Sequence, residues 1–233
     1  MSQFLLALDS TRIGQLGNGV RAYASVGTAF KAPSFNDLYF PGFSNPRLDP
    51  ERSTAYELGL KGTRDWGRFT LAAFRSDVDD LIAFDSATFL PQNIQRARLG
   101  GVEGSLTWQR GAWRLEQSLT WLDAADRSPG AQRGRELPRR PSLSGRTAIG
   151  WARGDWDLGA SLQFAGRRYD DIANLQRLGG YAVVDLTSAW QVSRSTAVQL
   201  RVANLFDRAY ETAWLFPSLG RELFVTVRYS APR

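Results

Sequence analysis

The feature that most limits what this chain can become is an alternation of apolar and polar side chains that persists for nine to eleven residues at a time. From Trp156 to Gly166, Trp156, Leu158, Ala160, Leu162 and Phe164 fall on one side, with Asp157, Gly159, Ser161 and Gln163 on the other. Successive side chains of an extended chain point to opposite faces, so a strand here has one greasy face and one wet face. The rhythm recurs. Trp113, Leu115, Leu119 and Trp121 oppose Arg114, Glu116, Ser118 and Thr120; Val102, Leu106 and Trp108 oppose Glu103, Ser105, Thr107 and Gln109. Tyr56, Leu58 and Leu60 oppose Glu57, Gly59 and Lys61, and Val198, Leu200 and Val202 oppose Gln199 and Arg201. At the C-terminal end Leu223, Val225, Val227 and Tyr229 oppose Glu222, Thr226 and Arg228. The stretch Phe69 to Asp85 alternates poorly and does not resolve into two faces.

Two architectures use such strands. A soluble β-sandwich packs one face inward, but its strands usually run only about five or six residues. A transmembrane β-barrel turns its apolar face to lipid and needs about ten residues per strand, too few and too mixed to register in hydropathy. No segment approaches the roughly 18 uninterrupted apolar residues of a membrane-spanning helix, and the mean hydropathy of −0.31 fits either architecture. The strand length favours the barrel. So do the connectors, which alternate between short turns (64–67, 109–112, 152–155, 192–196) and longer loops (near 34–51, 86–93, 125–141, 170–178, 211–219). Tight turns at one end and extended loops at the other are the layout of outer-membrane barrels. Five of the eight Trp residues lie at or near strand ends (Trp113, Trp121, Trp151, Trp156, Trp190), where amphipathic rings form interfacial girdles. The expectation is an all-β, antiparallel transmembrane meander of about 10–11 strands. Residues 1–19 read as a partial strand (around 3–9) and a turn at a truncated start, and 20–233 as barrel.

Other classes fall away. With no Cys there is no thiolate nucleophile, disulfide or cysteine metal site, and with no His neither a Ser-His dyad nor the commonest metal ligand exists. An enzyme is not expected, and no cofactor or metal site. A net charge of +6 invites a nucleic-acid reading, but Arg and Lys are scattered singly among acids, which suits a charged lumen and headgroup-level loops rather than a phosphate track. Asp77, Asp79 and Asp80 are expected to be solvated at a strand end rather than to hold a cation. The pairs Arg139-Arg140 and Arg167-Arg168 are expected at the outer rim, against water or anionic lipid headgroups. Gly14, Gly17 and Gly19 lack the strand-then-helix setting and Lys-Ser/Thr of a phosphate loop. The opening residues lack a signal peptide's basic region and length, which suggests a start in mid-domain.

Four segments, in order and at matching distances, resemble TonB-dependent receptors: YASVGTAFKAPSFNDLY (Tyr23 to Tyr39), NPRLDPERSTAYELGLKG (Asn45 to Gly62), VANLFDRAYET (Val202 to Thr212) and GRELFVTVRYS (Gly220 to Ser230). KAPSFNDLY, DPERSTAYELG, RSDVDDLIAFD, RLGGVEGS and NLFDRAYET resemble the vitamin B12 (cobalamin) receptors in particular, though siderophore receptors share them in part. The resemblance implies a barrel of about 22 strands filled by an N-terminal plug, located in the outer membrane of a Gram-negative bacterium, of which this chain is the C-terminal half. It implies uptake of cobalamin or another scarce nutrient, energised by the TonB complex through a plug and TonB box that these residues do not include. Lipopolysaccharide and the barrel assembly machinery are implied partners. A siderophore receptor and a non-transporting truncated product are the alternatives. The family's calcium loops belong to the other half. Arg139, in LPRRP, matches a loop arginine that contacts cobalamin, whereas the family's loop Tyr after RRYDD aligns near Ala173. Tyr229 matches the aromatic residue of the closing strand, although Ser230-Ala-Pro-Arg233 departs from the family's final Phe.

Overall fold

The computed structural model describes residues 5–17 and 19–230. In chain order the elements are β1 (Leu5–Gly17), β2 (Val20–Lys31), α1 (Phe35–Tyr39), β3 (Glu51–Arg64), β4 (Gly67–Asp85), β5 (Leu90–Arg110), β6 (Trp113–Asp126), β7 (Leu143–Arg153) and β8 (Trp156–Ala165). Then come β9 (Arg168–Tyr169), β10 (Arg177–Leu178), β11 (Tyr181–Gln191), β12 (Thr196–Ala203), β13 (Glu211–Ala213), β14 (Phe216–Pro217) and β15 (Glu222–Tyr229). Eleven strands form one sheet in the order β1-β2-β3-β4-β5-β6-β7-β8-β11-β12-β15, every neighbour antiparallel to the next. The pairs β9/β10 and β13/β14 are small hairpins inside the long loops. The sheet is open: among the described residues β1 and β15 do not pair with each other.

Register decides the faces. Leu60 lies opposite Leu71, which lies opposite Gly104; Trp113 lies opposite Trp151 and Trp156 opposite Trp190. Apolar positions therefore stack into one continuous outer wall, because opposed residues share a face. That wall is uncovered: Leu58 is 64% exposed, Leu158 40% and Val225 64%. A sandwich would have buried them. The wall is not wholly apolar, since Gln117 and Thr147 face each other on it.

The same register gives β4 the faces its sequence withheld. Phe69, Leu71 and Ala73 lie opposite Gly62, Leu60 and Leu58 and point outward; Thr70, Ala72, Phe74 and Ser76 point inward. Phe74 on the wet side and Arg75 on the greasy side break the alternation. An inward aromatic ring recurs at Tyr23, which lies across Gly59, where a Cβ would fall 2.6 Å from the ring atoms. Only glycine leaves that ring room.

β1 also differs from expectation. It pairs with β2 from Leu5↔Lys31 to Gly17↔Val20, a full strand rather than a fragment around 3–9, of which residues 3 and 4 lie outside the described residues. Its polar run Asp9-Ser-Thr-Arg12 hides it from any two-face pattern, and pairing with β2 supplies the ladder regardless. Turns at 64–67, 110–113, 153–156 and 191–196 close one end, tight enough that Gly154 adopts φ 58°, a left-handed conformation natural for glycine. Loops 32–50, 86–89, 127–142, 166–180 and 204–221 lie at the other end. The loop at 86–89 is shorter than expected because β4 and β5 extend to 19 and 21 residues.

Candidate functional site

The wet face and the long loops meet at one end of the sheet. On the wall, Arg146, Gln163, Asp185 and Arg201 line a cleft of about 560 Å³, roofed by Tyr210 and residues 217–220. Arg201 Nη2 donates to Asp185 Oδ2 at 2.9 Å, and the Asn204 amide donates to Asp185 Oδ1 at 3.0 Å. One carboxylate thus ties β12 and the start of the 204–221 loop to β11. Above it Tyr181 and Tyr210 stack at 4.2 Å. Arg168 is 4% exposed; its guanidinium lies 5.5 Å over the Tyr181 ring, and Nη2 donates to the Glu211 carbonyl at 2.6 Å. This is an expected rim cation found inside, held by a ring and a carbonyl.

Loop 127–142 is latched to loop 166–180. Arg139 Nε and Nη2 donate to Asp170 Oδ1 and Oδ2 at 2.7 and 3.1 Å. The Arg139 amide donates to the Tyr169 carbonyl at 2.6 Å, from a left-handed backbone at φ 60°. Asp170 is fully buried while the Arg139 side chain stays 38% exposed, lying 5.3 Å from the Phe84 ring at the end of β4. A planar fork meeting a buried carboxylate on two atoms is the strongest form of this contact. Beside it, Asp171 accepts from the Leu175 and Gln176 amides at 3.0 and 2.7 Å, and Asn174 bridges to the Glu136 backbone in both directions at 2.8 Å. The 86–89 tip joins through Phe89, whose ring lies 6.0 Å from that of Trp214 in the 204–221 loop. Leu137 (1% exposed) caps a small core of Val78, Leu81, Ile94, Ala97 and Ala124 beneath these loops. Four of the five loops are thereby fastened into a roof over the wet face.

The other expected site residues scatter. Arg167 pairs with Glu136 at 3.3 Å, so with Arg139 and Arg168 committed, three of the four rim cations are used within the molecule. Burial draws the Arg140 pKa down from its usual value, with Glu51 acting the other way. Asp77 is held between Arg75 (2.9 Å) and Arg98 (2.7 Å), and Asp80 takes a left-handed φ of 56°; among the described residues no three acids converge as metal ligands. Ala173 sits half-buried in the 166–180 loop. Tyr229 stands on the outer face of β15, opposite Thr196 and 68% exposed; residues 231–233 lie outside the described residues. Asp170, Asp171, Tyr181, Tyr210 and Trp214 were not foreseen. Only the adjacent carboxylates of RRYDD offered a signal, and the partner of Asp170, Arg139, lies 31 residues away.

A family model for "TonB dependent receptor-like, beta-barrel" matches residues 10–205. The chain belongs to this family. The family is one of transport receptors of the Gram-negative outer membrane, which accounts for a wall that presents Leu, Val and Trp outward. A curated relative, the vitamin B12 transporter BtuB of Photobacterium profundum, is 33% identical over 217 residues, covering 90% of this chain and 35% of the relative. The chain thus spans about a third of that relative's length. Among solved structures, the siderophore receptor PiuA from Acinetobacter baumannii superposes with a TM-score of 0.79 at 19% identity, covering 95% of this chain and 35% of that one. The ferric yersiniabactin uptake receptor FyuA from Yersinia pestis gives 0.80 at 22% identity, covering 96% and 36%. At such identities the two structures establish the fold.

Proposed function

We propose that these residues form the C-terminal wall and loop roof of a TonB-dependent receptor that takes up cobalamin. The observation that carries the reading is the 33% identity, over 90% of the chain, to a relative named as a vitamin B12 transporter. In hydrocarbon every backbone N–H and C=O must be paired internally, so an open eleven-stranded sheet must be completed by further strands to function. A closed barrel of about 22 strands encloses a lumen wide enough for a plug, through which the TonB complex would act. The latched loops then form a preorganised mouth, which lowers the ordering cost of capturing a bulky ligand. Arg139 belongs to that mouth: Asp170 takes two of its five donors, leaving its exposed edge for an acceptor on the ligand. Tyr229, at the end of the last strand, is the residue that the barrel assembly machinery would read.

Outer membranes carrying the full-length receptor test the substrate. Saturable binding of labelled cobalamin, weakened in Arg139→Ala, supports the reading. Indifference to cobalamin with uptake of an iron chelate overturns it in favour of a siderophore receptor.

A further inference from the structure

Three of the four rim cations expected near lipid headgroups are committed to partners within the loops, yet a different set of arginines faces outward below them. On the outer face of β3, β4 and β5 the apolar wall ends at Leu58, Ala73, Val102 and Trp121, which lie in register across four strands. One step further toward the loops, Tyr56, Arg75, Gly100 and Asp123 share a row. The next rows are Thr54, Asp77 and Arg98, then Arg52, Asp79 and Arg96. Registers are unbroken from the wall up to these rows, so every one of these side chains continues the lipid-facing parity. Four arginines therefore stand against Asp77 and Asp79, directly above a Trp and Tyr belt. Neighbouring strands lie about 4.8 Å apart, so the arginines fall within the span of one diphosphorylated headgroup.

Their partners divide them. Arg75 and Arg98 clamp Asp77, a fixed arrangement that holds the Arg98 guanidinium over the middle strand. The side chains of Arg52 and Arg96 are exposed and make no hydrogen bond or ion pair among the described residues. At their own loop ends, β7, β8, β11, β12 and β15 carry Leu143, Phe164, Ala182, Val202 and Leu223 as the last outward residues instead. The cationic patch is thus local, not a property of the whole rim.

We propose that the outer wall of β3–β5 binds a phosphorylated lipid of the outer leaflet. Arg52 and Arg96 receive its phosphate groups, and its acyl chains lie on Leu58, Ala73 and Val102 below. Guanidinium groups suit phosphate because their paired donors match two oxygens at once, and the lipid supplies what free phosphate lacks, an apolar body for the wall beneath. The proposal rests on the outer-membrane location and not on which nutrient the receptor carries.

The test uses the full-length receptor purified in detergent, titrated with bisphosphorylated lipid A and followed by native mass spectrometry. Arg52→Gln/Arg96→Gln is expected to weaken binding by about tenfold or more, one charge-assisted contact being worth roughly that factor. Enzymatically dephosphorylated lipid A is expected to bind the parent protein as weakly as the intact lipid binds the variant. Unchanged affinity in the variant, or equal binding of the dephosphorylated lipid, overturns the proposal. Inorganic phosphate that competes at equal concentration also overturns it, by showing a simple anion site. If the double variant fails to assemble, Arg96→Gln alone is read against Arg146→Gln, a lumen-facing arginine expected to leave lipid binding unchanged. Cobalamin binding should survive Arg52→Gln and Arg96→Gln, alone or together.

Discussion

Leu200 on β12 and Leu137 in the 127–142 loop are the same side chain in opposite circumstances, 41% and 1% exposed. The wall around Leu200 has no core of its own. Its strands are joined by backbone ladders, and its apolar side chains are satisfied by lipid rather than by one another. The roof around Leu137 is built like a small soluble protein, with a compact apolar cluster, buried carboxylates capped by amides, and a two-pronged ion pair. One chain thus solves burial twice, by solvent choice in the wall and by packing in the loops.

The sharpest way to separate the two is Leu137→Ala in the full-length receptor. Truncating a fully buried Leu should cost about 2–5 kcal/mol, and hydrogen exchange should place the loss in loops 127–142 and 166–180. If β7 and β8 lose protection with the loops, the two regions are one cooperative unit and the contrast fails. In the wall the damaging change is a charge rather than a cavity. Leu200→Arg near mid-height should cost about 2–4 kcal/mol in urea unfolding from phospholipid vesicles, while Gln199→Arg, one residue away on the wet face, should stay within about 0.5 kcal/mol. Equal costs at the two positions would erase the distinction between faces.

The same division explains what could be read from residues alone. The wall was legible because membrane strands write their two environments into a period of two, as in Trp156 to Phe164, and because turn and loop lengths alternate. Legibility failed where the period breaks: in β4, where Phe74 and Arg75 occupy the unexpected faces, and in β1, which pairs through its backbone despite a polar run. The roof was mostly illegible. Arg139 stood out by resemblance, but its partner Asp170 lies 31 residues on, and the meeting of Phe89 with Trp214 joins loops more than a hundred residues apart. Such contacts depend on how loops fold over the sheet, which leaves no local period. The inward turn of Arg168 was hidden for the same reason: sequence shows a charge near a loop end but not which way the loop turns it.

Smaller effects refine the comparison. Asp170→Asn keeps the side chain's size and removes its charge; losing the charge assistance from the Arg139 contact should cost about 1–2 kcal/mol and appear as faster proteolysis within 127–142, with heat-modifiable barrel mobility unchanged. At the girdle, Trp156 and Trp190 stack at 5.4 Å with planes 4° apart. A double-mutant cycle to Ala should return a coupling of about 0.5–1.5 kcal/mol, and additive single losses would show that each ring answers to lipid alone.

The account stands on the outward direction of the apolar face, and β8 offers the cleanest reading because this chain contains no cysteine. Single cysteines placed in turn from 157 to 164 of the full-length receptor in liposomes, each carrying a spin label, report access to oxygen in lipid and to a nickel chelate in water. Oxygen access should peak at 158, 160, 162 and 164, and chelate access at 157, 159, 161 and 163. The opposite phase, or a period near 3.6, would contradict it.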